Sequence, residues 1–157
     1  MPNSESIWHA DKDTLSDGDS INFTWTNPQG VDFIVSVTLL DDYLFNIKQT
    51  IVNNSDKPVS VQLYGLLNRT YEQPKDQMVN ILHTGFIGSY DQNLQEFTYD
   101  KIKENKRENF AKGTLDWVGI TDKYWFSAFI PDDSLKYSMN YSYAVKSGVD
   151  KYQADYV

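Results

Sequence analysis

The sequence predicts an all-β protein, an antiparallel β-sandwich of about eight or nine strands. Three observations carry this. Apolar and polar residues alternate along several segments, the period of a strand with one buried face. Aromatic residues make up 15% of the chain and tyrosine alone occurs 11 times, a composition that suits pleated surfaces. Clusters of Gly, Pro, Asn and Asp separate the alternating segments, as short antiparallel connections require.

The elements follow in order. "INFTWTN" sets Ile21, Phe23 and Trp25 on one face, with Asn22, Thr24 and Thr26 on the other. "NPQG" (27–30) is a turn, because proline fixes φ and glycine supplies a positive one. "VDFIVSVTL" then aligns Val31, Phe33, Val35, Val37 and Leu39, completing a hairpin. "DDY" (41–43) interrupts the pattern, and "LFNIKQTIV" alternates Phe45, Ile47 and Ile51 against Asn46, Lys48 and Thr50. "NNSDKP" (53–58) is a turn cluster.

"VSVQLYGLLNRTYE" (59–72) reads as one long strand in which Gly65 marks a bulge or a close backbone approach. Residues 73–93, with Pro74, Gly85 and Gly88, read as a loop with at most a short turn of helix. "LQEFTYDKI" (94–102) reads as a strand, and the charged "KENKRENFAKG" (103–113) as a hairpin or strand edge with loop rather than a helical turn. "LDWVGITDKYWFSAFIP" (115–131) is the strongest β region. Tyr124, Phe126, Ala128 and Ile130 alternate with Trp125, Ser127 and Phe129, so both faces are largely apolar. A central strand covered on both sides is expected, with Tyr124, Trp125, Phe126 and Phe129 in the core. "LKYSMNYSYAV" (135–145) sets Tyr137, Met139, Tyr141, Tyr143 and Val145 against Lys136, Ser138, Asn140 and Ser142, and "DKYQADYV" closes the chain as a last strand. No linker, repeat or heptad divides the chain, so residues 1–157 are expected to form a single domain.

The chemistry is mostly exclusion. A formal charge of −8 repels nucleic acid and anionic lipid. The absence of cysteine removes disulfides, thiolate zinc sites and thiol nucleophiles, and fits the cytosol and the bacterial periplasm equally. "MPNSESIWHADKD" lacks the basic and apolar regions of a secretory leader, and no apolar run reaches the ~18 residues of a spanning helix. Four Asn-x-Ser/Thr triplets, at Asn22, Asn53, Asn68 and Asn140, against roughly two by chance, are weak evidence of glycosylation. The two histidines, His9 and His83, show no ligand spacing and are expected to be structural or exposed. The Asp41–Asp42 and Asp132–Asp133 pairs are expected at turns rather than as an acid/base couple. "DKDTLSDGD" (11–19) has acids at the wrong spacing for a calcium loop. Phosphate-loop, dinucleotide and nucleophile-elbow motifs are absent. The expectation is therefore no catalytic, cofactor-binding or metal-binding residue, and no cofactor. Trp8, Trp25, Trp117 and Trp125 could stack on sugars, but tryptophans in alternating strands usually pack inward. Core packing is expected for them, which leaves sheet edges and loops such as 73–93 as the place for a binding surface.

"WVGITDKYWFSAFIP" and "LDDYLFNIKQTIVNNSDKPV", together with "HTGFIGSYDQNLQEFTYDKI" between them, resemble the large periplasmic domain of YidC-type membrane protein insertases of Gram-negative bacteria. The similarity runs over nearly the whole chain, with several blocks in matching order and spacing. The resemblance implies a β-supersandwich related in shape to galactose-mutarotase-like enzymes, inserted between the first two membrane helices of the parent. It implies a non-catalytic domain that supports insertion and folding of inner-membrane proteins through contacts with the Sec translocon and nascent membrane proteins. It also implies a soluble chain on the periplasmic side of the inner membrane, in a parent anchored there, and a fragment of a longer domain. The alternatives are a carbohydrate-binding module and a mutarotase-like sugar enzyme; His9 and His83 do not match the paired histidines of the latter.

Overall fold

The computed structural model describes residues 1–70 and 83–157, which fall into two units, Met1–Val61 and Gln62–Val157. Pro74 and the expected strand end at 71–72 lie outside the described residues. The described residues form three four-stranded antiparallel sheets, so the all-β class holds, and the second unit is a two-sheet sandwich.

The first unit is a meander of β1 (His9–Ala10), β2 (Ser20–Thr26), β3 (Val31–Leu39) and β4 (Phe45–Asn53), in that order. The register places Trp25 opposite Phe33 and Phe33 opposite Ile51, with Ile21 opposite Val37 and Val37 opposite Ile47. One face of the sheet is therefore apolar, as the alternation predicts. Val31, Phe33 and Ile21 are its buried centre, while Phe45, Ile47 and Ile51 on the edge strand β4 stay exposed. The β2–β3 turn is locked by Asn27, whose Oδ1 accepts from the backbone N–H of Gln29 and of Val31, each at 2.9 Å. Gly30 follows at φ 80°, the left-handed region that glycine enters freely. Asp41–Tyr43 forms a single 3₁₀ turn, as expected of "DDY".

The second unit pairs a sheet of order β10-β9-β6-β7 with one of order β5-β12-β11-β8. The first comprises β6 (Gly85–Tyr90), β7 (Asn93–Thr98), β9 (Leu115–Thr121) and β10 (Phe126–Phe129). The second comprises β5 (Gly65–Thr70), β8 (Arg107–Gly113), β11 (Tyr137–Lys146) and β12 (Val149–Tyr156). Between them lies a core rich in rings: Phe86, Tyr90, Tyr99, Tyr137, Tyr141, Tyr152 and Tyr156 are buried, with Ile102, Leu115, Val118 and Met139. Phe86 of β6 stacks on Tyr141 of β11 at 4.7 Å between centroids and 28° between planes. The Tyr90 hydroxyl, also on β6, donates to the Tyr137 carbonyl of β11 at 3.2 Å, tying the same two strands.

Several expectations are corrected. Residues 85–90 are a buried inner strand, not a loop. The glycines that suggested a loop are packing positions. A Cβ on Gly88 would lie 2.8 Å from the Trp117 carbonyl oxygen and 3.0 Å from the Tyr141 hydroxyl. Strand β5 starts only at Gly65, and residues 59–64 are outside any strand. Gly65 does mark a close approach, since a Cβ there would run into the Tyr156 ring directly across the ladder. Residues 99–102 belong to a helix, α1 (Tyr99–Asn105). Thr98 caps it by accepting from the Lys101 N–H at 3.2 Å, and Tyr99 and Ile102 bury one side. Residues 103–105 of the charged stretch also fall in α1, against the expectation of no helical turn there, and Arg107–Gly113 forms β8, an edge strand as expected.

The largest correction concerns 115–131. The chain reverses at Asp122–Trp125, where the Asp122 N–H donates to the Trp125 carbonyl at 2.8 Å, so one expected strand becomes the β9–β10 hairpin. β10 is an edge strand, not a central one. Tyr124, Trp125 and Phe126 are exposed rather than core, and Phe129 alone of the four packs on the core, edge to face with Tyr156 at 5.8 Å. The strand tryptophans also depart from expectation: Trp25 and Trp117 are half-buried, as is Trp8, and Trp125 is open.

Burial raises the phenols of Tyr99 and Tyr141, and pushes Tyr152 up to about 12. An unfolded phenol ionises near ~10. Each buried tyrosine therefore adds stability that is complete below that value and is lost as pH rises, through about 12 for Tyr152. An alkaline titration is expected to show phenolate absorbance from the buried rings rising together with loss of the β-sheet circular dichroism signal. Full ionisation near ~10 with the sheets intact would show that the rings are not held in this core.

At the surface, Asp150 accepts from Lys103 Nζ at 2.6 Å and from the Tyr143 hydroxyl at 2.8 Å. The Lys103 bond chiefly, and Tyr143 after it, hold its carboxyl below the usual range. The contribution is present above the unfolded value of ~3.9 and disappears as pH falls through the lower folded value. Asp150→Asn is thus expected to melt below the parent chain at neutral pH, with the gap closing in acid. Thermal melts across pH check this; a gap that does not depend on pH would contradict it.

Candidate functional site

The sandwich edge formed by β5 and β10 carries a groove and an exposed aromatic loop. Both are terminal strands of their sheets. A strand at that position leaves one row of backbone N–H and C=O groups without a ladder partner. A groove of about 310 Å³ runs beside them, lined by Leu67 and Arg69 of β5, Ile120 of β9, Ser127 of β10, and Asp122 and Trp125 of the hairpin loop. Its ionisable side chains, Arg69 and Asp122, are paired with each other. Arg69 Nε donates to Asp122 Oδ2 at 2.6 Å, and a second guanidinium nitrogen lies 2.5 Å from the same oxygen. Burial, and after it the Asp122 carboxylate, raises the phenol of the nearby Tyr99. The pair thus fixes the base of the loop.

Beyond that base the loop points outward. Tyr124 is 79% exposed, Trp125 80% and Ile130 75%, and Phe126 is exposed beside them. Lys123 Nζ sits 5.1 Å from the Tyr124 ring centroid. Beneath the tip, Phe126 meets Trp117 edge to face at 6.0 Å, which fixes its ring on the outer side of the sheet. The exposed rings are therefore carried on a short, braced hairpin.

The residues that the sequence raised for chemistry are distributed otherwise. His9 lies on β1 in the first unit, at an open cleft with Trp25, Thr24 and Thr26. His83 belongs to the second unit, where its Nε2 lies 3.0 Å from the Phe86 carbonyl oxygen. Among the described residues no three His, Asp or Glu side chains gather at metal-ligand distances. In "DKDTLSDGD", Asp11 accepts from Asn22 through backbone N–H and side-chain amide at 2.9 and 2.7 Å, and Asp19 accepts from Lys12 at 2.5 Å. These acids close the β2 edge locally. Asp132 caps a turn by accepting from the Ser134 N–H at 2.9 Å. Of the loop 73–93, residues 83–90 fall mostly in β6, and the part from 73 to 82 lies outside the described residues. The hairpin tip was missed because alternation along 121–131 looks the same for an unbroken strand and for two strands joined by a four-residue reversal.

Comparison with known proteins places the whole chain. The family model of the YidC periplasmic domain matches residues 1–157. A membrane protein insertase YidC of Rickettsia akari (strain Hartford) is 52% identical over 157 residues. Those of Rickettsia felis (strain ATCC VR-1525 / URRWXCal2) and Rickettsia prowazekii (strain Madrid E) are 50% and 49% identical over the same length. In each case the match takes in 100% of this chain and 28% of the relative. No helix among the described residues is long and apolar enough to cross a membrane. With a family match from the first residue to the last and an aromatic β fold of the class its sequence predicts, the chain belongs to the YidC periplasmic domain family.

Proposed function

We propose that residues 1–157 act as one domain of a longer membrane protein insertase, on the periplasmic side of the bacterial inner membrane. The domain works by protein–protein contact, without a catalytic step. Its partners are components of the Sec translocon, and through the parent protein it stands beside nascent membrane proteins. The observation that carries this reading is the match over the whole chain to the periplasmic-domain family, whose relatives bear the name insertase. The paired state of Arg69 and Asp122 in the groove supports it, since each neutralises the other's charge. The open edges of β5 and β10 supply surface for a partner strand or loop.

Affinity purification of the full insertase with and without residues 1–157 tests this. Sec components are expected to co-purify with the complete protein and to fall several-fold on deletion, while insertion of a simple membrane substrate persists. Sec recovery that is unchanged by the deletion would overturn the docking role.

A further inference from the structure

The loop between β9 and β10 leads into a run that is apolar through β10 (Phe126–Phe129) and beyond it. Residues 123–131, "KYWFSAFIP", hold one charged side chain, Lys123, in a chain of net charge −8. The nearest acid on one side, Asp122, is neutralised by Arg69 at 2.5 Å. On the other side Asp132 is turned into its own backbone turn at Ser134. The result is an apolar tip whose one charged side chain is Lys123, with the carboxylates of Asp132 and Asp133 following it in the chain. It is also open to solvent: Tyr124 and Trp125 stand at the reversal itself, 79% and 80% exposed, with Phe126 and Ile130 following them in the chain.

That shape and chemistry select a partner. One tyrosine and one tryptophan, each about four-fifths exposed, present their rings outward from the reversal, where a soft surface accepts them. Tyrosine and tryptophan have an apolar ring and a polar group, and both favour the headgroup level of a bilayer. Lys123 lies beside the Tyr124 ring and adds a donor for lipid phosphate. The Arg69–Asp122 pair and the Trp117–Phe126 contact hold the hairpin in place, so little ordering is required on contact.

We propose that the β9–β10 hairpin tip, Lys123–Phe126 with Ile130, is an interfacial anchor that seats this domain on a zwitterionic lipid surface. The inference rests on reading the chain as part of a membrane-resident insertase, which brings a bilayer within reach. Hydrophobic insertion drives the contact, and the overall negative charge makes anionic lipid a poorer surface than neutral lipid.

Flotation of the 157-residue chain with phosphatidylcholine vesicles, and with vesicles containing phosphatidylglycerol, tests it. The wild-type chain is expected to float with phosphatidylcholine vesicles, and less with the anionic ones at low salt. Tyr124→Ser/Trp125→Ser should lower the partition coefficient ~10-fold or more, because apolar area at the interface sets the affinity. Tyr43→Ser removes an even more exposed ring in the first unit, 94% open, and should change nothing. Brominated phosphatidylcholine gives a readout that does not depend on the double variant folding: it should quench wild-type tryptophan fluorescence, and Trp125→Phe should abolish that quenching. Absence of vesicle binding, binding that survives the double change, or quenching unaltered by Trp125→Phe would each overturn the anchor. These results leave the Sec reading standing. Lost Sec dependence with vesicle binding intact would sink the Sec reading and leave the anchor.

Discussion

Phe86 and Tyr141 come from opposite sheets of the second unit and lie face to face, 4.7 Å apart. Most of that unit is arranged around this contact. Tyr99 packs against the edge of Phe86 at 6.0 Å, and Phe97 and Phe110 each lie 5.6 Å from Tyr141. The rings reach this distance because Gly88, two residues from Phe86 on the same strand, leaves the space that the Tyr141 hydroxyl fills. Large rings on one strand are matched by missing side chains on another, and Gly65 under Tyr156 repeats the device. The constraint has a cost. The Tyr141 hydroxyl is fully buried and makes no hydrogen bond among the described residues.

This pairing of rings with glycines explains what could be read from the sequence and what could not. The Tyr137–Met139–Tyr141–Tyr143 stripe alternates cleanly, and β11 follows it; the same holds for β2, β3 and β4. "GFIGSY" has no such stripe. Gly88 resembles loop punctuation until the Tyr141 ring that needs the space is known, and that ring is about fifty residues away in sequence. The helix α1 was hidden in the same way. "FTYDKI" alternates like a strand, but Thr98 caps a helix whose buried positions, Tyr99 and Ile102, are spaced for a helical face.

The sequence misread the hairpin tip for a different physical reason. An apolar alternation indicates that side chains share a face but not whether the face is covered. The second unit fills its interior with seven buried rings from β6, α1, β11 and β12. Tyr124, Trp125 and Phe126 lie beyond that interior, on a reversal at the sheet edge. What resembled a fold signature is in part a surface. The site residues that sequence reasoning raised, His9 and His83, and the Asp41–Asp42 and Asp132–Asp133 pairs, fall in separate local structures.

The central claim is that the cross-sheet ring contact, rather than polar bonding, holds the sandwich together. Equilibrium urea denaturation of Phe86→Ala beside Tyr141→Phe tests it most directly. Phe86→Ala should lose ~3–5 kcal/mol, since it empties the middle of a closed core. Tyr141→Phe keeps the ring and removes only an unbonded hydroxyl, so it should be neutral or gain up to ~1 kcal/mol. A small loss for Phe86→Ala, or a loss for Tyr141→Phe comparable to it, would contradict the account.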